Sequence, residues 1–365
     1  MSDPLSRLAT RVAYATRQLP RMAWYAGHLY VLPQLAEQAR QQESKSARTK
    51  PRSDPRLDRR LNADMAALLD QDLANVEAGI YPVPADHDGS LLTLLDRSRL
   101  FFRDLPEVTA RRKRNATREV LNEETRGRRP DYYLQNFHFQ TGGWLTEESA
   151  DLYDTQVEVL FKGTANAMRR QALPPLAEAF AGLDQRKLRL IDVGCGTGRF
   201  LDFVKQIWPR LPVLGLDLSH AYIRHARDHL KRWSNLNLIV ANAEAIPAKD
   251  NSCDAVTSVF MLHELPPEVR RTVIGEAARV LKPGGRLILV DSLQLGDEPA
   301  YDAMLERFPQ YYHEPYYHSY IGEDFAAVVR PYGLAHRRSI KAYVSKVMVF
   351  DKRLAKQLHL GTIHA

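Results

Sequence analysis

The chain is poor in cysteine. Only Cys195 and Cys253 occur among 365 residues. Two thiols exclude a disulfide framework and a cysteine-built zinc site, and they suit a reducing cytosol. No apolar run approaches the ~18 residues of a membrane span. The first residues carry Arg7, Arg11 and Arg17 but no continuous apolar core, so they do not read as a secretory signal. There is no internal repeat. His263-Glu264 does not open a zinc-protease helix, because Pro267 stands where the second histidine belongs. Hydrophobic residues at 44% and charged residues at 26% are ordinary for a globular protein.

What is present is a series of strand-like runs, each followed by a loop and a helix. Leu188, Leu190, Ile191 and Val193 lead into Gly194, Gly196 and Gly198, after which a helix starts near Phe200. Glycines there let the backbone turn tightly and approach a ligand. The spacing is not the Gly-x-Gly-x-x-Gly of a dinucleotide site, and Arg199 rather than lysine follows, which disfavours a phosphate cradle. Val213–Asp217 reads as the next strand. Asp217 lies 19 residues after Gly198, near the ~20-residue offset at which an acid accepts hydrogen bonds from ribose hydroxyls. Asp217 or Ser219 could also cap the helix around 221–230. Leu238–Val240, Cys253–Phe260 and Arg286–Asp291 read as strands three to five. A helix carries Val269, Val273, Ile274, Ala277 and Val280, with Lys282-Pro283-Gly284-Gly285 as its stop. Ala335–Ala342 and Val344–Phe350 form a hairpin turning at Tyr343. The expected fold is α/β: a Rossmann-like doubly wound sheet, mostly parallel, with an antiparallel C-terminal hairpin and an N-terminal helical accessory region.

DVGCGTG (192–198), LGLDLS (214–219), ANAEAIP (241–247), DAVTSVFMLHEL (254–265) and LKPGGRLILVD (281–291) appear in that order. In these motifs the chain resembles class I S-adenosylmethionine-dependent methyltransferases, in particular the group containing quinone-biosynthesis and other small-molecule enzymes. The resemblance covers about 185–295. It implies S-adenosylmethionine as cofactor. Asp192 and the loop Gly194, Cys195, Gly196 and Gly198 would line its methionine and ribose part, and Asp217 would hold the ribose hydroxyls. Leu218 would pack on adenine, Asn242 with Ala243 would reach the adenine edge, and Met261 to His263 would face the transferred methyl. Asn242 departs from the family, which usually carries an acid near the adenine amino group; its amide oxygen can still accept a hydrogen bond.

The remaining sequence divides into 1–130, a helical accessory region with a basic arm; 131–184, a connector and helix covering the cofactor; and 185–365, the Rossmann-like domain with an acceptor lid at about 300–330. Residues 1–60 hold twelve Lys/Arg against five Asp/Glu, which accounts for the whole net charge of +7. The stretch 41–60 reads as a linker. Ahead of it, Arg17, Pro20, Arg21, Trp24, Tyr25 and Tyr30 mix basic and aromatic residues. Three readings stay open for this arm: a solvated helix or oligomer contact, peripheral attachment to an anionic membrane, and nucleic-acid contact. Leu57 to Ile80 carries a helical apolar stripe, and Leu91 to Phe102 suggests a helix ended by Pro106. Arg111–Arg114 reads as a solvated charge run, and 147–169 as one long helix.

Two aromatic segments flank the motifs. Tyr132, Tyr133, Asn136, His138 and Gln140, with Tyr153, are candidates for a lid over the active site or for a packed connector. Tyr312, His313, Tyr316 and Tyr317, in the segment 308–320, are candidates for closing over a flat acceptor. The irregular spacing of His313, Glu314 and His318 around Pro315 argues against a metal, and none is expected. A sulfonium methyl is already activated, so its transfer mainly needs an aligned acceptor. Where a proton must leave, His263 is the first candidate base, with His138, His313 and His318 behind it. No Asn/Asp-Pro-Pro-Tyr/Phe and no Pro-Cys sequence occurs, so no DNA acceptor is expected. The expected function is methyl transfer to oxygen or carbon of a small-molecule or lipid-like acceptor. An RNA or protein methyltransferase docking through the basic arm, and a non-catalytic cofactor-fold partner subunit, are the alternatives.

Overall fold

The computed structural model describes residues 4–42 and 54–354, and side chains for all of these except 32–42. Seven strands form one sheet in the order β3-β2-β1-β4-β5-β7-β6. These are β1 (Leu190–Val193), β2 (Val213–Asp217), β3 (Leu236–Val240), β4 (Cys253–Val259), β5 (Leu281–Ser292), β6 (Leu334–Ala342) and β7 (Ser345–Lys352). The first five run parallel, and β7 is antiparallel to both β5 and β6. The hairpin turns at Tyr343, in a left-handed conformation (φ 62°). Chain order reverses between β1 and β4, and ligands of such sheets sit outside the carboxyl ends of the strands at that point.

Helices cover both faces. One apolar core joins β1, β4 and β5 to α9 (Pro267–Val280) and to the segment after β5, which includes α10 (Asp302–Tyr311), α11 (Tyr317–Ile321) and α12 (Phe325–Val329). The other joins the sheet to α6 (Leu173–Phe180), α7 (Arg199–Ile207) and α8 (His220–Leu230), and extends to Tyr14, Val76 and Tyr81. The N-terminal helices α1 (Pro4–Gln42) and α2 (Pro55–Glu77) therefore share a core with the sheet. They are fastened by charge as well. Asp72 is buried and accepts from the Tyr14 and Tyr81 hydroxyls, both at 2.7 Å, and from Arg170 at 2.6 and 2.9 Å. Among the described residues, no helix is long and apolar enough to cross a membrane.

Several elements differ from the sequence reading for local reasons. Residues 43–53 of the expected linker lie outside the described residues, while 55–60 begin α2, capped by Asp54 and opened by Pro55. The helix α3 (Leu91–Arg114) continues through Pro106. A proline costs a helix one hydrogen bond, but the last turn is anchored: buried Arg111 donates to Glu119 at 2.6 Å and Thr141 at 2.7 Å. So Arg111 is not on a solvated face. The expected long helix is broken into α4 (Glu147–Leu160) and α5 (Ala165–Arg170) by Lys162 (φ 53°) and Gly163 (φ 81°). α1 crosses there, and a Cβ on Gly163 would stand 2.7 Å from the Met22 backbone. The Lys282–Gly285 turn does not follow α9 as a separate stop. The chain becomes extended at Leu281, opposite Cys253, and the turn is an irregularity within β5. The arm packs one face of α1 on the body and leaves the other, with Leu5, Leu8, Val12 and Leu19, exposed. Tyr14, Gln18, Arg21, Tyr25 and His28 are buried against the body. Arg17 donates to the Val83 and Pro84 carbonyls, Arg21 to Asp88 and Glu158, and Arg11 to Glu77.

Candidate active site

The cleft opens at the carboxyl ends of β1, β2 and β4, and measures ≈ 770 Å³ counted to its open mouth. Its floor begins with the glycine turn. Gly194 and Cys195 donate their N–H groups to Leu216 O at 2.9 and 3.0 Å, which fastens the turn to β2. Gly194 has φ 70°, and a Cβ there would meet Met261 Sδ at 2.5 Å. Gly196 faces the cleft, and its N–H donates to Asp217 Oδ2 at 3.0 Å. Gly198 caps α7, behind the turn. Cys195 is buried in the core beneath the turn, not in the lining.

Asp217 ends β2 and lines the cleft. Its Oδ1 accepts the Ser219 N–H at 2.8 Å, while Ser219 itself caps α8. The helix cap is therefore Ser219, and Asp217 keeps its carboxylate on the cleft. Burial raises the Asp217 carboxyl above its ordinary range, opposed by these N–H donors. The hydroxyl-accepting capacity of a carboxylate is not exhausted by two N–H bonds. Asp192 lies one layer below, outside the lining, bonded to Thr257 Oγ1 at 2.6 Å. Burial pushes its carboxyl up to about 7.

Leu218, Asn242 and Ala243 sit together on the β2–β3 side of the cleft. Asn242 Oδ1 accepts the Glu244 N–H at 3.0 Å, and its Nδ2 donates to Glu244 Oε1 at 3.0 Å. Glu244 Oε1 also accepts the Tyr132 hydroxyl at 2.8 Å. An acid therefore stands two residues beyond the position where the family departs, and it ties the floor to the roof.

The roof comes from 132–153. Tyr132, Tyr133 and Tyr153 line the cleft, joined by Phe137 and Trp144. Trp144, Tyr153 and Tyr222 meet edge-on, with ring centroids 5.4–5.9 Å apart. The three line the cleft as an aromatic box, and an aromatic lining suits a cation. The second aromatic segment does not reach the lining and forms a layer behind it. Tyr316 and His313 engage Gln135 at 2.8 Å each, Tyr317 engages Ser292, and Tyr312 stacks on Phe308. Asn136 is a buried structural group, donating to Gln140 O and accepting from Val120 N–H.

His263 is also outside the lining. Its Nδ1 lies 2.5 Å from Asp291 Oδ1. Burial works against its charge, but the Asp291 carboxylate outweighs it and pushes the imidazole up to about 10. The pair with Asp291 stands behind the lining, so His263 does not itself face the cleft. The neighbouring Glu264 does line the cleft and accepts the Trp144 indole N–H at 3.0 Å. Glu314 turns away from His313 and His318 to meet His138, with Nε2 to Oε1 2.5 Å. The groups that sequence reasoning missed are Trp144, Tyr222, Phe260 and Glu264. Tyr222 carried one signal, its place three residues after the Ser219 cap. The others depend on how loops from distant strands meet.

Residues 190–285 match a family model described as a methyltransferase domain. Over 121 residues the chain is 33% identical to a malonyl-[acyl-carrier protein] O-methyltransferase of Methylococcus capsulatus, covering 33% of this chain and 43% of that protein. Over 151 residues it is 32% identical to a ubiquinone/menaquinone biosynthesis C-methyltransferase of Syntrophotalea carbinolica, covering 41% and 60%. A demethylmenaquinone methyltransferase of Listeria welshimeri is 37% identical over 113 residues, covering 30% and 47%. The chain thus spans about half the length of the curated relatives it matches. A solved SAM-dependent methyltransferase from Aquifex aeolicus aligns at a TM-score of 0.37 and 21% identity, covering 49% of this chain and 88% of that one. At that score the likeness carries no argument. The motif order, the sheet order and the family match agree: this chain carries a class I S-adenosylmethionine-dependent methyltransferase domain.

Proposed function

We propose that the protein binds S-adenosylmethionine in this cleft and transfers its methyl group to oxygen or carbon of a small-molecule or lipid-like acceptor. The observation that carries the reading is the pairing of Asp217 and the glycine turn on the floor with the Trp144–Tyr153–Tyr222 box above them. The floor suits ribose, and the box suits a sulfonium. The methyl leaves the sulfonium for the acceptor nucleophile, and a neutral thioether remains. The chain's main contribution is to hold the two in line in a largely apolar cleft. Names of relatives in quinone and malonyl-acyl-carrier chemistry support acceptors with an ionisable oxygen or an activated carbon. Docking of RNA or protein through the arm has less support, because Arg11, Arg17 and Arg21 are engaged within the chain. The test is transfer of isotope-labelled methyl to a panel of hydroquinones, phenols and acyl thioesters, with RNA and protein as comparison. Label in the small molecules supports the reading. Label in RNA or protein alone would overturn it.

The raised Asp192 carboxyl gives a pH dependence. Its folded value, about 7, exceeds the ordinary ~3.9. The stability it contributes therefore falls as pH rises between these values and is level above about 7. A cationic ligand nearby favours the ionised form. S-adenosylmethionine is expected to bind more tightly as pH rises from 6 towards 8, levelling above 7, and Asp192→Asn is expected to flatten that rise. Calorimetric titration at several pH values checks this; an affinity independent of pH in the wild-type chain would contradict it.

A further inference from the structure

His138, Glu264 and Glu314 come from three separate segments: the turn 137–139, the turn after β4, and the loop between α10 and α11. Each offers a donor atom within 4.8 Å of the other two. The His138 N–H also donates to the His313 carbonyl, which fastens the first segment to the third. Glu314 is 2% exposed, and its Oε2 has no hydrogen-bond partner. A buried carboxylate oxygen without a donor costs free energy unless something cationic or protic meets it.

We infer that His138, Glu264 and Glu314 form a binding site for a divalent first-row transition-metal ion at the wall of the cleft. The geometry suits it. Bonds of ~2.1 Å from a tetrahedral ion set donor atoms ~3.4 Å apart, inside the 4.8 Å limit of the cluster, and the ion takes the place of the proton that His138 Nε2 and Glu314 Oε1 share at 2.5 Å, the two atoms moving apart as it enters. One imidazole and two carboxylates make a borderline-to-hard set, fitting Zn²⁺ or Mn²⁺ better than a soft ion. Three protein ligands leave a position open, and Glu264 carries that position to the lining. The ligand it would take there is an acceptor oxygen, whose proton is more easily lost beside a divalent ion. The spacing of His313, Glu314 and His318 along the chain could not disclose this site, because only Glu314 of the three belongs to it.

The test uses the full chain stripped with a chelator and titrated calorimetrically with Zn²⁺ and, separately, Mn²⁺. S-adenosylhomocysteine binding and the thermal melt are recorded alongside. One ion per chain is expected. His138→Ala and Glu314→Gln should each weaken ion binding at least ~100-fold, beyond the effect of losing an outer partner, with S-adenosylhomocysteine binding retained. Two results would overturn the site: no ion bound by the wild-type chain, which leaves a shared proton between His138 and Glu314, or unchanged binding in both variants, which puts the ion elsewhere. Failure of S-adenosylhomocysteine to bind the wild-type chain would count against the methyl-transfer reading and is measured separately.

Discussion

Asp217→Ala is expected to weaken S-adenosylmethionine binding by about 100-fold or more while leaving the chain folded. Asp217 projects from the end of β2 into the cleft, positioned by the Gly196 and Ser219 N–H groups at 3.0 and 2.8 Å. Both are backbone donors on fixed elements, so the carboxylate is held before any ligand arrives, and little ordering cost remains at binding. Hydrogen bonds to a charged group are worth about 1.5–3 kcal/mol each. Loss of two to a ribose diol therefore removes about 3 kcal/mol or more, and each 1.4 kcal/mol is tenfold. Asp217→Asn keeps the shape but not the charge and should fall between. Calorimetric titration of both variants, with circular dichroism as control, checks the order. Equal affinity in Asp217→Ala and wild type would mean that the ribose does not lie there.

The largest effect on stability is expected at Asp72, far from the cleft. Its side chain is 0% exposed and that of its partner Arg170 is 1% exposed. Removing one partner of a buried pair costs about 3–5 kcal/mol, because the other charge is left without compensation. Arg170 keeps a second contact to Asp86 at 2.9 Å, so Asp72→Ala should lie near the lower end, about 3 kcal/mol. The Tyr14 and Tyr81 hydroxyls also lose their acceptor. Asp72 on α2 thus holds together α1, the turn after α2 and, through Arg170, α5, so the variant should loosen the N-terminal helices from the body. Urea denaturation measures the loss, and limited proteolysis should cut within α1 or α2 first. A loss under ~1 kcal/mol would show that water reaches the pair and that the N-terminal helices are not part of the core.

Much of the fold was legible because it is periodic. Five apolar runs of strand length, each followed by a loop and a helix, determine a parallel sheet with few alternatives, and the turn at Tyr343 disclosed the hairpin. The breaks were not legible. Whether 147–169 is one helix depends on α1 crossing at Gly163, a contact made across more than a hundred residues. Pro106 should have ended α3, but Arg111 is held by Glu119 and Thr141 from beyond the helix. The cleft divides in the same way. Its floor is built from residues local to the strand ends; local spacing disclosed Gly194, Gly196 and Asp217, and the family resemblance supplied Leu218 and Asn242. Its roof depends on which aromatic segment packs closer. Tyr132, Tyr133 and Tyr153 reach the cleft, whereas Tyr312, Tyr316 and Tyr317 stop one layer behind, spent on Phe308, Gln135 and Ser292. Composition alone does not separate two such layers. The place of His263 behind the lining was hidden for a similar reason, since its partner Asp291 comes from the next strand.

The most direct measurement is a crystal structure of the chain with S-adenosylhomocysteine. The account predicts ribose hydroxyls on Asp217, adenine between Leu218 and the Asn242–Ala243 edge, and the thioether sulfur beneath the Trp144–Tyr153–Tyr222 rings. A ligand seated elsewhere, or one whose ribose makes no contact with Asp217, would contradict it.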